Sequence, residues 1–357
     1  MEPAPRPAGR EVPAHLREAL AEANAAADVQ VLVDPSPEVL EAYALEGKVG
    51  VVALVTGGPE RRAAALLAGA LEVLDPALPE VEARARVEAA VARFRSRLHM
   101  EQAREALDAQ VESREIDLRL AAQLQRSLLP ERLPNPPGWE LAVALLPREF
   151  VCGDMYEARL LGPDHLLVWT LDAVGHGVCS ALLGVLLRTA LAPLDPAGRP
   201  RPPGEVLSEL DRRLCDARLG GSPTAAFCYV LLELSSGRVW LANAGHPIPW
   251  RQRPPGAGGP ELEPLGDSGL LLGVDPAPRP TLETRLEAGE RLFLFTDGIG
   301  ADLGQRFGRE LSVHRDLGLM DQIGGALGAS VQLDAEGAPE DDVTVLGVRR
   351  QAKLPAP

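Results

Sequence analysis

Short apolar runs alternate with amphipathic stretches along the first quarter of the chain. Residues 1–13 hold four prolines and read as an arm. HLREALAEANAAA (15–27) has a helical pattern, VQVLV (29–33) is a strand, and PEVLEAYALEG is a helix closed by Gly47. A strand (KVGVVALVTG), a helix (PERRAAALLAGA) and a strand (LEVLD, ending at Asp75-Pro76) follow. Strands alternating with helices predict a small parallel sheet. From Pro79 to Leu128 there is no internal proline or glycine, and Ala, Glu, Arg and Leu dominate, which predicts one long helix. Val87, Val91, Phe94 and Leu98 step by four, three and four, and Leu107, Val111, Arg114, Leu118 and Ala121 resume the rhythm. Two readings stand for that seam: a parallel coiled coil joining two copies, or an amphipathic helix lying on its own domain.

Pro130, Pro134, Pro136 and Pro137 end the helix and open a region of different pattern. Strands are expected at Leu141–Pro147, Leu166–Leu171, Arg291–Thr296 and Val343–Val348, and a hairpin at Thr224–Leu234 and Arg238–Ala242, turned through Ser235, Ser236 and Gly237. Ala181, Leu182, Val185, Leu186 and Thr189 give one helix its apolar face, and Val206–Leu219 is a second. Leu191–Gly204 is a proline-rich surface loop, and Asp302–Pro339 is glycine-rich with little helical signal. The expected division is 1–78, an α/β domain; 79–129, a helical linker; and 130–357, a larger α+β domain.

Charge narrows the partners. The 36 Lys and Arg face 51 Asp and Glu, a net charge of −15, which argues against nucleic acid and anionic membranes. An apolar share of 46% with 24% charged residues is that of a globular protein. Cys152, Cys179, Cys215 and Cys228 show neither CxxC pairing nor zinc spacing, no leader-like segment opens the chain, and no apolar run is long enough to span a bilayer. A reduced cytoplasmic protein is the expectation.

The chemistry sits at strand ends. The run Leu166–Leu171 stops at Asp172, before a turn in which Gly175 and Gly177 flank His176. RLFLFT ends in Asp297-Gly298, Asp341 and Asp342 precede the last strand, and CGDMYE places Asp154 and Glu157 near the strand Leu141–Pro147. One such acid is a turn residue or a cap. Four strand ends carrying acids suit hard divalent cations, which take oxygen ligands from several elements at once.

The ordered motifs CGDMYE, LDAVGHGV, NAGHP, FTDGIG and DDVT resemble the PPM-type serine/threonine phosphatases, in the branch named for the stage II sporulation protein E that includes the sigma-factor regulatory phosphatases. The resemblance covers roughly residues 115–350. It implies an α-β-β-α sandwich, two Mn²⁺ or Mg²⁺ ions, and an activated water attacking a phosphoserine or phosphothreonine on a small, anti-anti-sigma-factor-like protein. Carried over residue by residue, Asp172 matches the acid shared by both ions, Asp297 and Asp341 match acids of the second ion, and Asp154 matches the acid of the GD motif. Ala173 would offer its carbonyl, and Asp342 is a ligand or an adjacent acceptor. Neighbours on a strand point to opposite faces, so one of Asp341 and Asp342 is expected to touch metal, Asp341 by the better match. His176 is the candidate for protonating the leaving group, and His246 reads as structural. Glu157 stands where relatives carry Asp, Cys152 where they carry Gly, and Gly300-Ala301 where they carry Thr-Glu.

Residues 1–78 resemble a shortened response-regulator receiver, best over VVALVTGGPERRAAALLAGALEVLDP, with Asp75 where a receiver needs Lys and no acidic pair beside Asp34. This implies a docking or dimerising domain. EIDLRLAAQLQRSLLPE resembles the helix that transmits signals into this phosphatase branch, so a homodimer through the linker is expected. The competing reading from another class is a catalytically weak or inactive scaffold that acts by binding a partner.

Overall fold

The computed structural model describes residues 11–352 apart from 19, 22–27, 48, 176, 218–222, 300 and 335–336, and omits the side chains of 301–303. The chain divides into two compact units, 1–113 and 114–357. The boundary falls inside the long helix.

In the first unit, β1 (Val29–Val33), β2 (Gly50–Leu54) and β3 (Glu72–Leu74) form a parallel sheet in that order. Alternation along β2 builds two cores. Val51 and Ala53 pack with Leu40 of α1 (Pro37–Glu46) and Ala65 of α2 (Pro59–Leu67). Val52 and Leu54 pack with Val87 and Phe94 of α3 (Glu80–Leu128), which covers the other face. So the first half of the predicted seam serves its own unit. Further along α3, Leu107 is 58% exposed and Val111 51% exposed. Asp34, after β1, accepts hydrogen bonds from the Thr56 amide (2.8 Å) and hydroxyl (2.6 Å), and Asp75 pairs with Arg62 at 2.6 Å.

The second unit is an α-β-β-α sandwich. One sheet has the order β11 (Leu282–Arg285), β8 (Arg238–Ala244), β7 (Ala225–Glu233), β6 (His165–Ala173), β5 (Asp154–Leu160); the other has β10 (Leu262–Pro264), β9 (Trp250–Gln252), β12 (Arg291–Phe295), β13 (Val343–Arg350), β4 (Trp139–Leu146). Residues of one parity meet between the sheets: Leu166, Val168, Val230 and Leu241 against Leu292, Leu294, Leu346 and Val348. The other parity faces helices. Trp169, Leu171 and Phe227 pack under α4 (Val178–Ala190) and α5 (Pro203–Asp216), while Phe293, Phe295 and Val345 pack under α6 (Ala301–Val313) and α7 (Leu319–Ser330).

Helices α6 and α7 lie where the sequence showed little helical signal. Their glycines lower intrinsic propensity, yet packing requires two of them. A Cβ on Gly308 would stand 2.9 Å from the Trp250 ring, and one on Gly325 2.8 Å from His314. Burial of Phe307, Leu311, Ile323 and Leu327 outweighs the propensity cost. The short strands β9 and β10 also escaped sequence reading, being too brief for a period to register. Among the described residues no helix is long and apolar enough to cross a membrane.

Candidate active site at the mouth of the sandwich

Strand register makes the site. Asp154 opens β5 directly opposite Asp172 near the end of β6, and both follow the parity that faces the second sheet. Buried Asp154 reaches across the sandwich. Its Oδ2 accepts hydrogen bonds from the hydroxyls of Thr296 (2.7 Å), which follows β12, and Thr344 (2.6 Å), on β13. Its Oδ1 is buried without a hydrogen-bond partner. Thr296 leads into the 3₁₀ turn Asp297–Ile299, and Thr344 follows Asp341 and Asp342, so this plug sets both remaining acidic segments beside Asp172.

The electrostatics are those of crowded like charges. Burial, followed by the charge of Asp172, pushes the Asp154 carboxyl well above the usual carboxylate range. Burial and then the neighbouring Asp297 push Asp172 up to about 7. None of Asp154, Asp172, Asp297, Asp341 and Asp342 has a salt-bridge partner among the described residues. No three acidic, histidine or cysteine groups among the described residues cage a single point. The acids meet in pairs, Asp154 facing Asp172 and Asp172 beside Asp297.

Asp341 and Asp342, just before β13, differ in their partners. Both oxygens of Asp342 accept backbone amides, from Arg148 (2.8 Å) and Gly153 (2.7 Å), pinning the two ends of the loop before Asp154. Asp341 is exposed, and only its Oδ1 is engaged, by the Asp342 amide at 2.9 Å. A Cβ on Gly153 would lie 3.1 Å from the Ala173 carbonyl oxygen, so glycine permits that approach.

Other candidates fall elsewhere. Glu157, three residues after Asp154, takes the opposite face of β5 and pairs with Arg188 of α4 at 3.1 Å, so the extra methylene serves a structural ion pair. His246 is fully buried, its Nε2 2.9 Å from the Thr170 hydroxyl and its Nδ1 3.0 Å from the Pro247 carbonyl oxygen. That carbonyl can only accept, so Nδ1 carries the proton and Nε2 accepts from Thr170. Burial holds the imidazole down at about 4, neutral at physiological pH. Burial, then Asp154, raises the Cys152 thiol, and burial raises that of Cys228, which leaves both protonated. His176, Gly300 and the side chain of Ala301 lie outside the described residues.

Three participants were missed in the sequence: Thr296, Thr344 and Gln125. The threonines sit in motifs already singled out, next to Asp297 and Asp342, where the acids drew the attention. Gln125, near the end of α3, donates from Nε2 to the Cys152 carbonyl (2.6 Å) and accepts the Cys152 amide on Oε1 (3.0 Å), clasping the loop that carries Asp154. Its signal was a glutamine amid the apolar face of Leu118, Ala121 and Ala122. Replacing it with Ala leaves two buried backbone groups unpaired, and we expect a loss of about 2–3 kcal/mol of stability. The loosened loop should cost about ten- to a hundredfold in activity. All four tryptophans lie between 139 and 250, so their fluorescence in urea follows the second unit alone; wild-type turnover in Gln125→Ala would sink this role.

Residues 162–351 match the family model described as stage II sporulation protein E (SpoIIE). The chain belongs to the SpoIIE family. Among relatives, the SpoIIE-type chain is 23% identical over 184 residues to the phosphoserine phosphatase RsbU of Bacillus subtilis, covering 51% of this chain and 53% of RsbU. The curated relatives it matches are spanned over only 32% and 53% of their own lengths. Among solved structures, the RsbU and RsbW domains of Rv1364c from Mycobacterium tuberculosis align with TM-score 0.52 and 26% identity over 62% of this chain and 63% of that one. The SiaA-PP2C domain of Pseudomonas aeruginosa aligns with TM-score 0.56 and 24% identity, covering 68% and 98%. The second unit thus has the PP2C-type phosphatase fold of the SpoIIE family. None of these matches speaks to the receiver likeness of the front unit.

Proposed function

We propose that this chain is a metal-dependent protein phosphatase that removes phosphate from a phosphoserine or phosphothreonine of a small signalling protein, of the anti-anti-sigma-factor kind. The observation that carries the reading is the mouth of the sandwich, where acids from both sheets meet without a cationic partner and Asp154 keeps a buried, unpartnered oxygen. An all-oxygen donor set of net negative charge fits hard divalent ions. Asp172, Asp297 and Asp341 would hold them, with Asp154 and the Ala173 carbonyl. Two Mn²⁺ or Mg²⁺ ions, when bound, supply a water acidified to a nucleophile at neutral pH and screening for the phosphoryl charge.

The protein's own share is placement. Thr296 and Thr344 fix Asp154, Asp342 fixes both ends of its loop, and Gln125 fixes Cys152 in that loop. The water oxygen bonds to phosphorus as the ester P–O bond breaks, and the departing serine oxygen takes up a proton; His176 is the proposed donor. The full chain should cleave p-nitrophenyl phosphate and a phosphoserine peptide, lose both activities in EDTA and regain them with Mn²⁺. Folded protein silent with added Mn²⁺ would return the reading to a partner-binding scaffold.

For the front unit we propose docking or dimerisation, and regulation of the catalytic unit, in place of phosphate acceptance. Asp34 is committed to Thr56, and Asp75 stands where a receiver carries Lys. A second copy is proposed along the exposed middle of α3, where Met100, Leu107 and Val111 recur at seven and four. Light scattering should give a dimer mass for the full chain and a monomer mass for Leu107→Asp/Val111→Asp; a monomeric wild type would end this proposal.

A further inference from the structure

A second concavity lies at the same end of the β5–β8 sheet as the acids. The edge strand β11 pairs with β8 only as far as Leu282–Leu241, whereas β8 runs on to Ala244. The chain between Gly266 and Leu282 swings away from that uncovered edge and encloses a cavity of about 420 Å³. Its apolar wall includes Leu241, Leu270, Pro278 and Leu282, and Asp267 and Asp275 also line it. Leu270 is 55% exposed.

The charge of this cavity is one-sided. Asp267 and Asp275 are exposed and form no salt bridge among the described residues, while Arg279, which also lines it, is spent on Asp211 at 2.5 Å and on the carbonyls of Leu270 and Leu271. An apolar wall under an acidic rim is the complement of a side chain with an alkyl stem and a cationic tip, Lys or Arg. The net charge of −15 favours a basic partner as well.

The register connects cavity and acids. From Leu270 in the cavity wall the chain runs on to buried Leu272, which exchanges backbone hydrogen bonds with Ala225, the residue opposite Ala173. Asn243 on the cavity floor lies two strands from Thr170, which is two residues before Asp172. At about 4.8 Å per strand Asn243, at the near side of the cavity, is about 10–12 Å from Asp172, the reach of three or four residues of extended chain.

We propose that this cavity is a specificity pocket that receives a Lys or Arg side chain three or four residues from the phosphorylated residue of the substrate protein. The proposal rests on the phosphatase reading. The test uses the full chain with Mn²⁺ on phosphoserine peptides that carry Lys or Ala at a single position from four before to four after the phosphoserine, and reads kcat/KM for each Lys/Ala pair. The wild type should prefer Lys by about tenfold at a position three or four away, the size expected for a desolvated stem and two facing carboxylates. The preference should fall to near unity in Asp267→Asn/Asp275→Asn, and Asp267→Lys/Asp275→Lys should favour Glu at the same position. A ratio near one at every position in the wild type overturns the pocket, as does a preference that survives both double variants. Failure of the wild type to cleave p-nitrophenyl phosphate would strike the phosphatase reading itself, and the pocket's role with it, and is told apart from failure of the pocket alone by that substrate, which carries no side chain to seat.

Discussion

Asp172→Asn will reduce metal-dependent phosphatase activity by at least about a thousandfold while the protein stays folded. The residue faces Asp154 across two paired strands and lies beside Asp297, so it is the acid at the centre of the group. Amide for carboxylate preserves shape but removes an anionic oxygen from the group of acids that would hold the two cations, and each tenfold of rate is about 1.4 kcal/mol of lost transition-state stabilisation. Stability should not fall with activity. Asp172 has no salt bridge to lose, and its removal relieves repulsion among like charges. The pair of measurements is kcat/KM on p-nitrophenyl phosphate with Mn²⁺ and the urea midpoint by tryptophan fluorescence. Retention of a tenth of wild-type activity would remove Asp172 from the role given to it.

Gly298→Ala will cost about a hundredfold or more in activity through geometry alone. A Cβ at Gly298 would stand 2.0 Å from the carbonyl oxygen of Asp342 and 3.1 Å from Val343 Cγ2. The first of these is backbone, in a residue that directly precedes β13 and whose carboxylate is tied to the Arg148 and Gly153 amides, and it cannot swing aside as a flexible side chain can. The turn carrying Asp297 must therefore move away from the segment carrying Asp341. A displacement of about 1 Å at a catalytic constellation is enough for a hundredfold loss, with about 1–3 kcal/mol of stability lost to overpacking. Gly304→Ala is the control, since a Cβ there meets nothing within 4 Å. Activity within threefold of wild type in Gly298→Ala would show that the mouth tolerates separation of these two segments.

The two variants probe different kinds of information. Asp172 could be chosen from the chain alone, because a carboxylate at the end of a buried apolar run, repeated at the strands near Asp297, Asp341 and Asp154, is a local pattern. Gly298 is visible in the chain only as the residue after Asp297, and what approaches it is not. The partner, Asp342, is remote in sequence and arrives only when β12 and β13 pair. The same holds for Thr296 and Thr344, separated from Asp154 by 142 and 190 residues.

The long helix illustrates the limit of periodicity. Its apolar rhythm declared a helix with one buried face, and the helix is there from Glu80 to Leu128. What covers that face changes along its length: the β1–β3 sheet at Val87 and Phe94, then Val151 and Ala181 at Ala122. Period alone states that a face is apolar; it does not say where that face is covered or by what, and at Leu107 and Val111 it is exposed. Helices α6 and α7 show the converse. Glycine content lowered their local signal, while contacts at Trp250 and His314 require two of those glycines.

By itself, then, the sequence determined the order and type of most elements, the parity of the strands, the acids at their ends and the family those motifs resemble, because each is a property of neighbouring residues. Tertiary structure decided which acids face one another, that Glu157 leaves the site for Arg188, that Asp342 clamps a loop, and that Gln125 reaches it from the long helix. Those outcomes depend on strand register and on two sheets stacking, where a shift of one residue exchanges the faces of a whole strand, and local pattern does not record the pairing between distant segments.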